Sequence, residues 1–119
     1  MTILAIDHVQ IAAPPGCEPA ARAFYGGLLG LEEVEKPLAL ALNGGCWFRA
    51  GAQELHVGVE SEFVPARKAH PGFVVDDLEV LRERLAEAGY GAVDDDKIPG
   101  TKRFYVDDPF GNRFEVRQA

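Results

Sequence analysis

The 119-residue sequence predicts an α+β fold: one domain, residues 1–119, built from two βαβββ modules at about 1–62 and 63–119, forming a curved, cup-like mixed sheet with helices outside. Three observations lead there. The order strand, helix, short strand, hairpin occurs twice along the chain. Local sequence repeats with it. His8-Val9-Gln10-Ile11 answers to His70-Pro71-Gly72-Phe73, Leu29-Gly30-Leu31 to Ala88-Gly89-Tyr90, and Leu55-His56-Val57 to Phe114-Glu115-Val116, at offsets of 62, 59 and 59 residues. Self-similarity at a nearly fixed period marks a repeated structural unit. Finally, the strands alternate, so each small sheet has one face for its helix and another left for a partner or ligand.

The elements follow in order. Residues 6–12 (IDHVQIA) read as a strand whose first two residues break the alternation, and Ala13-Pro14-Pro15-Gly16 ends it. A helix starts at about Glu18 with Pro19 in its first turn, where the missing N–H costs nothing. Ala21, Phe24, Tyr25, Leu28 and Leu29 recur at helical spacing as its core face, and Gly26, Gly27 and Gly30 close it. Residues 31–36 read as a short strand; 37–43 carry no clear pattern. Residues 46–50 (CWFRA) and 54–60 (ELHVGVE) form a hairpin, with Leu55, Val57 and Val59 on one face and Glu54, His56, Gly58 and Glu60 on the other.

Residues 61–68 are a connector holding Pro65 and the basic pair Arg67-Lys68. Residues 69–75 (AHPGFVV) read as the next strand. Asp76, with Glu79 three residues on, reads as a helix cap, followed by the stripe Leu78, Leu81, Leu85 and Ala88. Residues 90–93 are a short strand and 94–100 an acidic loop. The final hairpin, RFYVDDPFGNRFEVR, turns through Asp-Asp-Pro-Phe-Gly-Asn, where Pro fixes φ and Gly or Asn tolerates the left-handed region.

Twelve basic against nineteen acidic residues, a net charge of −7, argue against nucleic acid or an anionic membrane as partner. No run reaches a membrane span. The opening MTILAIDHVQI lacks the pattern of a signal peptide, so the expectation is a cytoplasmic protein with Cys17 and Cys46 as reduced thiols.

Polar residues then fall at equivalent places. His8, His56, His70 and Glu115 occupy the first and last strands of the two modules, and alternation turns each away from its helix. They are all three histidines plus a glutamate in the middle of the last strand. Imidazole and carboxylate donors converging on a cleft suit a divalent transition metal. The competing reading is two solvated sheet faces, or an ion pair of Glu115 with Arg113 or Arg117.

The chain resembles the vicinal oxygen chelate superfamily, which includes glyoxalases, bleomycin-resistance proteins, fosfomycin-resistance enzymes and extradiol dioxygenases. The resemblance spans essentially the whole sequence. It is carried by IDHVQI, ARAFYGGLLGLEEV, HPGFVVDDLEVLRERLAEAG and FYVDDPFGNRFEV, the last of which is quite specific for the fold. It implies paired modules around one divalent metal ion (Fe, Mn, Zn or Ni), with ligands at His8, His70 and Glu115. Glyoxalase-like members add a fourth-strand ligand, usually Glu; here that position is His56. The departure leaves the two-His, one-carboxylate set intact and moves away from a methylglyoxal-type glyoxalase. Glu54, on the same face, could replace that ligand or transfer a proton.

The implied chemistry is chelation of two adjacent substrate oxygens by a Lewis-acidic metal. The expected function is therefore a metal-dependent lyase, isomerase or dioxygenase acting on a small substrate. The alternative is a metal-free binding protein of the bleomycin-resistance type. A non-catalytic dimerisation module is a third reading. Trp47 and Phe48 either line the pocket or pack in the core. Arg67 and Lys68, just before His70, either hold an anionic substrate or belong to a solvated connector. The resemblance also implies a homodimer.

Overall fold

A computed structural model describes residues 1–119, and the chain divides into two compact units, Met1–Val64 and Pro65–Ala119. The structure is mixed α+β, with one four-stranded sheet in each unit. No helix is long and apolar enough to cross a membrane.

In the first unit β1 (His8–Ala13), β2 (Glu32–Val34), β3 (Cys46–Ala50) and β4 (Gln53–Val59) form a sheet in the order β1-β4-β3-β2. β1 runs parallel to β4; the other two pairings are antiparallel. Register sets the faces. Val9, Ile11, Leu55, Val57, Phe48 and Cys46 fall on one, while His8, Gln10, Glu54, His56, Trp47 and Arg49 fall on the other. The first face meets the helical segment. It opens as α1 (Glu18–Ala21), with Pro19 in the first turn, and continues over Arg22–Leu28 as a π-helix, where the Leu29 N–H bonds to the Phe24 carbonyl at 2.9 Å. Phe24, Tyr25, Phe48, Leu55 and Val57 are buried in the core of this unit, with the Tyr25 and Phe48 rings 5.9 Å apart. The stretch without a sequence pattern contains a single turn of helix, α2 (Leu38–Ala41), which buries none of its residues.

β3 leaves Gly45 at φ +83°, and a Cβ there would stand 2.1 Å from the Val57 carbonyl oxygen. Only glycine lets the two backbones come this close.

In the second unit β5 (Gly72–Val75), β6 (Val93–Asp94), β7 (Arg103–Asp107) and β8 (Arg113–Gln118) form a sheet in the order β5-β8-β7-β6. β5 is parallel to β8, as β1 is to β4. The helix α3 (Leu78–Glu87) buries Leu78, Leu81 and Leu85. Its cap is Asp77, whose Oδ1 accepts the Val80 N–H at 3.1 Å; the expected Asp76 lies one position too early. The Gln118 side chain takes the Leu78 N–H at 2.9 Å and donates to the Asp76 carbonyl at 2.6 Å, tying the last strand to the helix start.

The turn between β7 and β8 is a closed polar knot. Asp108 Oδ1 accepts the N–H groups of Phe110 and Asn112, each at 2.9 Å, and Asn112 Nδ2 donates to Asp108 Oδ2 at 3.0 Å. Both side chains are buried. The connector docks on this knot: Ala66 N–H donates to Asn112 Oδ1, and Arg67 Nη1 to Asp107 Oδ1 at 2.6 Å and the Gly111 carbonyl at 2.9 Å.

Candidate functional site

The predicted site residues occur as two groups, one in each unit. No group of three or more His, Cys, Asp or Glu side chains is gathered around a common point.

In the first unit the parallel register sets His8 opposite Glu54 and Gln10 opposite His56. The rings form a stack. His56 lies flat on Trp47, with centroids 3.8 Å apart and planes 1° apart, and His8 lies on His56 at 4.3 Å and 18°. His56 is buried, and its Nε2 bonds to Glu54 Oε1 at 2.9 Å. His8 is half exposed, and its Nδ1 meets Asp7 Oδ2 at 2.9 Å. Stacked rings carry their lone pairs in nearly parallel planes. The two imidazoles therefore cannot both aim at one ion unless a ring turns. As it stands, His56 fixes Glu54, and His8 keeps Nε2 available. Trp47 belongs to this group, whereas Phe48 is fully buried on the opposite face against Tyr25.

In the second unit His70 stands just before β5, not inside a strand. Pro71, with no N–H to give, contributes only its carbonyl, which accepts the Glu115 N–H at 3.0 Å. His70 Nδ1 lies 2.9 Å from the Lys68 carbonyl, an acceptor only, so Nδ1 donates there and Nε2 is the nitrogen turned toward Glu115. Nε2 is 3.6 Å from Glu115 Oε2, too long for a hydrogen bond. Gly72, opposite Glu115 in the register, has no side chain to fill the space beside that oxygen.

Glu115 is only 12 % exposed and is held from its other oxygen. Arg103 Nη1 donates to Glu115 Oε1 at 3.0 Å and to Tyr105 Oη at 3.1 Å, and Nη2 donates to Asp95 Oδ1 at 2.7 Å. The guanidinium is itself 9 % exposed. Its acidity falls further out of reach, chiefly through the Glu115 hydrogen bond. Asp95 is held below the ordinary carboxylate range, first by the Lys97 N–H and then by Arg103. Arg103 Nε has no acceptor, while its two terminal nitrogens are both paired with carboxylates. Arg117 lies farther off, Nε to Oε1 3.9 Å, and Arg113 stacks over the Tyr105 ring at 3.7 Å instead of reaching Glu115. The hydrogen-bonded ion-pair partner is thus Arg103, with Arg117 a second, looser cation on the same oxygen and Arg113 turned away. Sequence offered one clue, the even spacing of Arg103 and Tyr105 on the strand that pairs with Glu115.

A pocket of about 680 Å³ in this unit is lined by Arg67, Tyr90, Lys97, Tyr105 and Arg113 among others. Tyr105 also meets the edge of His70 at 5.4 Å between centroids, so one side chain touches both features. Arg67 is engaged in the connector latch; Lys68 is exposed and gives its carbonyl to His70. Cys17 and Cys46 are buried outside these groups. Burial pushes the Cys17 thiol up to about 11 and raises that of Cys46, so both stay protonated and unreactive.

Repeated βαβββ units with imidazole and carboxylate side chains on or just before their first and last strands define a glyoxalase-like class of protein, the vicinal oxygen chelate fold. A family model described as a glyoxalase-like domain matches residues 17–117, and the chain belongs to that family. A solved structure of a protein assigned to the glyoxalase family, from Bacillus anthracis, is 51 % identical, covers 99 % of this chain and 97 % of its own, and superposes with a TM-score of 0.95. Two others share the fold at lower identity. The fosfomycin resistance protein FosX from Listeria monocytogenes is 15 % identical, covers 99 % and 95 %, and has a TM-score of 0.79. Lactoylglutathione lyase from Agrobacterium tumefaciens is 24 % identical, covers 97 % and 93 %, and has a TM-score of 0.72. No curated protein matches the chain.

Proposed function

We propose that this glyoxalase-like protein is a metal-dependent enzyme acting on a small substrate with two adjacent oxygens, of lyase, isomerase or dioxygenase type. One divalent ion (iron, manganese, zinc or nickel) is held by His70 and Glu115, and the family resemblance adds His8, with His56 at the fourth position, as further ligands from the same chain or a second copy. The observation that carries the reading is the His70–Glu115 pair. His70 Nε2 and Glu115 Oε2 face each other at 3.6 Å, with the imidazole anchored through Nδ1 on the Lys68 carbonyl, so a nitrogen donor and a carboxylate oxygen are held side by side where a cation can take both. Two donors at about 2.1 Å from one ion stand roughly 3.0–3.4 Å apart in octahedral or tetrahedral geometry, close to the distance found. The Lys68 carbonyl on Nδ1 and Arg103 on Oε1 are the outer hydrogen bonds that metal ligands need.

Bound there, the ion supplies Lewis acidity at vicinal substrate oxygens. The remaining steps belong to side chains. His8, with Nδ1 turned to Asp7, offers Nε2. Glu54 takes the His56 N–H on Oε1, which fixes the carboxylate and leaves Oε2 free to accept a substrate proton. Trp47 keeps the His56 ring in place and presents an apolar edge to the substrate. Lys68, with Arg67 at the pocket wall, is the cationic group for a substrate anion. A second copy of the chain is the expected partner.

The Arg103–Glu115 ion pair favours one other reading, a metal-free binding protein in which Glu115 is neutralised by arginine alone. The two separate in one comparison. With a metal-loaded preparation and a panel of vicinal dicarbonyls, diols and epoxides, His8→Ala abolishes turnover but leaves ligand binding measurable if the protein is an enzyme. Ligand binding unchanged by both His8→Ala and chelator would establish sequestration.

A further inference from the structure

We infer that Arg103, anchored by Asp95, is a positioning residue that presents Glu115 to a cation through one oxygen only. The inference rests on the metal-centre reading above.

Four observations carry it. Arg103 grips Oε1 of Glu115 and leaves Oε2 on the His70 side. The same Nη1 shares its donors with Tyr105 Oη, the residue directly across the ladder from Glu115, so carboxylate and phenol are fixed by one group. Nη2 is tied back to Asp95 Oδ1, and the Asp95 N–H bonds to the Arg103 carbonyl at 3.3 Å, so the guanidinium is held from backbone and side chain. Lastly, Nε is left without an acceptor in a side chain nine-tenths buried. Arg103 is therefore placed to serve Glu115 and Asp95 at the expense of its own hydrogen bonding. Asp95 is itself set by the Lys97 N–H at 2.9 Å, which links the acidic loop 94–100 to the donor pair.

Two opposite consequences follow from a cation beside a metal ligand. Its charge repels a metal ion, and its fork orients the ligand. Arg103→Lys separates them, because it keeps the charge and cannot reach Glu115, Tyr105 and Asp95 together. Asp95→Ala is the second variant; it loosens Arg103 without touching Glu115.

The test is titration of Co²⁺ into metal-free protein against a competing chelator, with the visible spectrum recorded and folding checked by thermal melting. The wild type should bind one Co²⁺. Arg103→Lys and Asp95→Ala should bind it 10- to 100-fold more weakly, the usual effect of losing an outer hydrogen bond to a ligand, with a changed d–d spectrum and an unchanged fold. Folded variants with wild-type affinity and spectrum would overturn the positioning role and leave the metal centre standing. A wild type that binds no Co²⁺ would overturn both.

Discussion

A carboxylate persists in the middle of the last strand because Arg103 neutralises it across the β7–β8 ladder. Sequence alone located Glu115 by its misfit among apolar neighbours, and located all three histidines by their place in the repeat. It did not find Arg103, since that contact runs diagonally between strands and depends on a register that turn length sets. Nor did spacing show that His56, one of the expected ligands, lies flat between the His8 and Trp47 rings. Two titrations test the residue-scale account. Asp95 has a lowered pKa in the folded state, so its contribution is complete above the ordinary value of 3.8 and is lost as pH falls through the lowered one. Asp95→Asn should therefore be less stable than wild type in urea near neutral pH, with the gap closing below about pH 4. A gap that persists undiminished in acid would contradict this. For the thiols, the raised values favour the neutral forms. At about pH 8 neither should react with a thiol reagent until the protein is unfolded, when both should label.

Among the elements, the final hairpin was the most legible. Its turn demands Asp, Pro, Gly and Asn at fixed places, and the structure uses Asp108 and Asn112 as a buried knot that also receives the connector. Asp108→Ala leaves buried N–H groups without acceptors and should destabilise by roughly 2–4 kcal/mol in chemical unfolding. Gly45→Ala should be at least as harmful, because a positive φ and a 2.1 Å clash with the Val57 carbonyl act together. The helix cap was misplaced by one residue because Asp76 and Asp77 are adjacent and only backbone geometry chooses between them. Asp77→Ala should cost about 1 kcal/mol and Asp76→Ala much less. The π-helical offset was not readable from the helical spacing over 21–29, and α2 had no sequence pattern. The first differs from an α-helix by one residue of hydrogen-bond offset. The second is four residues of Leu and Ala that bury nothing, so no periodicity was selected.

For the whole molecule, the internal repeat was the decisive signal: both sheets have their first strand parallel to their last and the same strand order. Composition and charge narrowed the partners but could not name a substrate, because the fold carries many chemistries on one frame. The proposed homodimer predicts twice the 12.9 kDa chain mass by light scattering; a monomer at working concentrations would contradict that part of the proposal. The central claim is the metal. It is tested most directly by elemental analysis of untagged protein purified without added metal, beside His70→Ala and Glu115→Ala. The account predicts near-stoichiometric iron, manganese, zinc or nickel in the wild type and its loss from both variants. A folded wild type that carries no metal and takes up none on titration would contradict it.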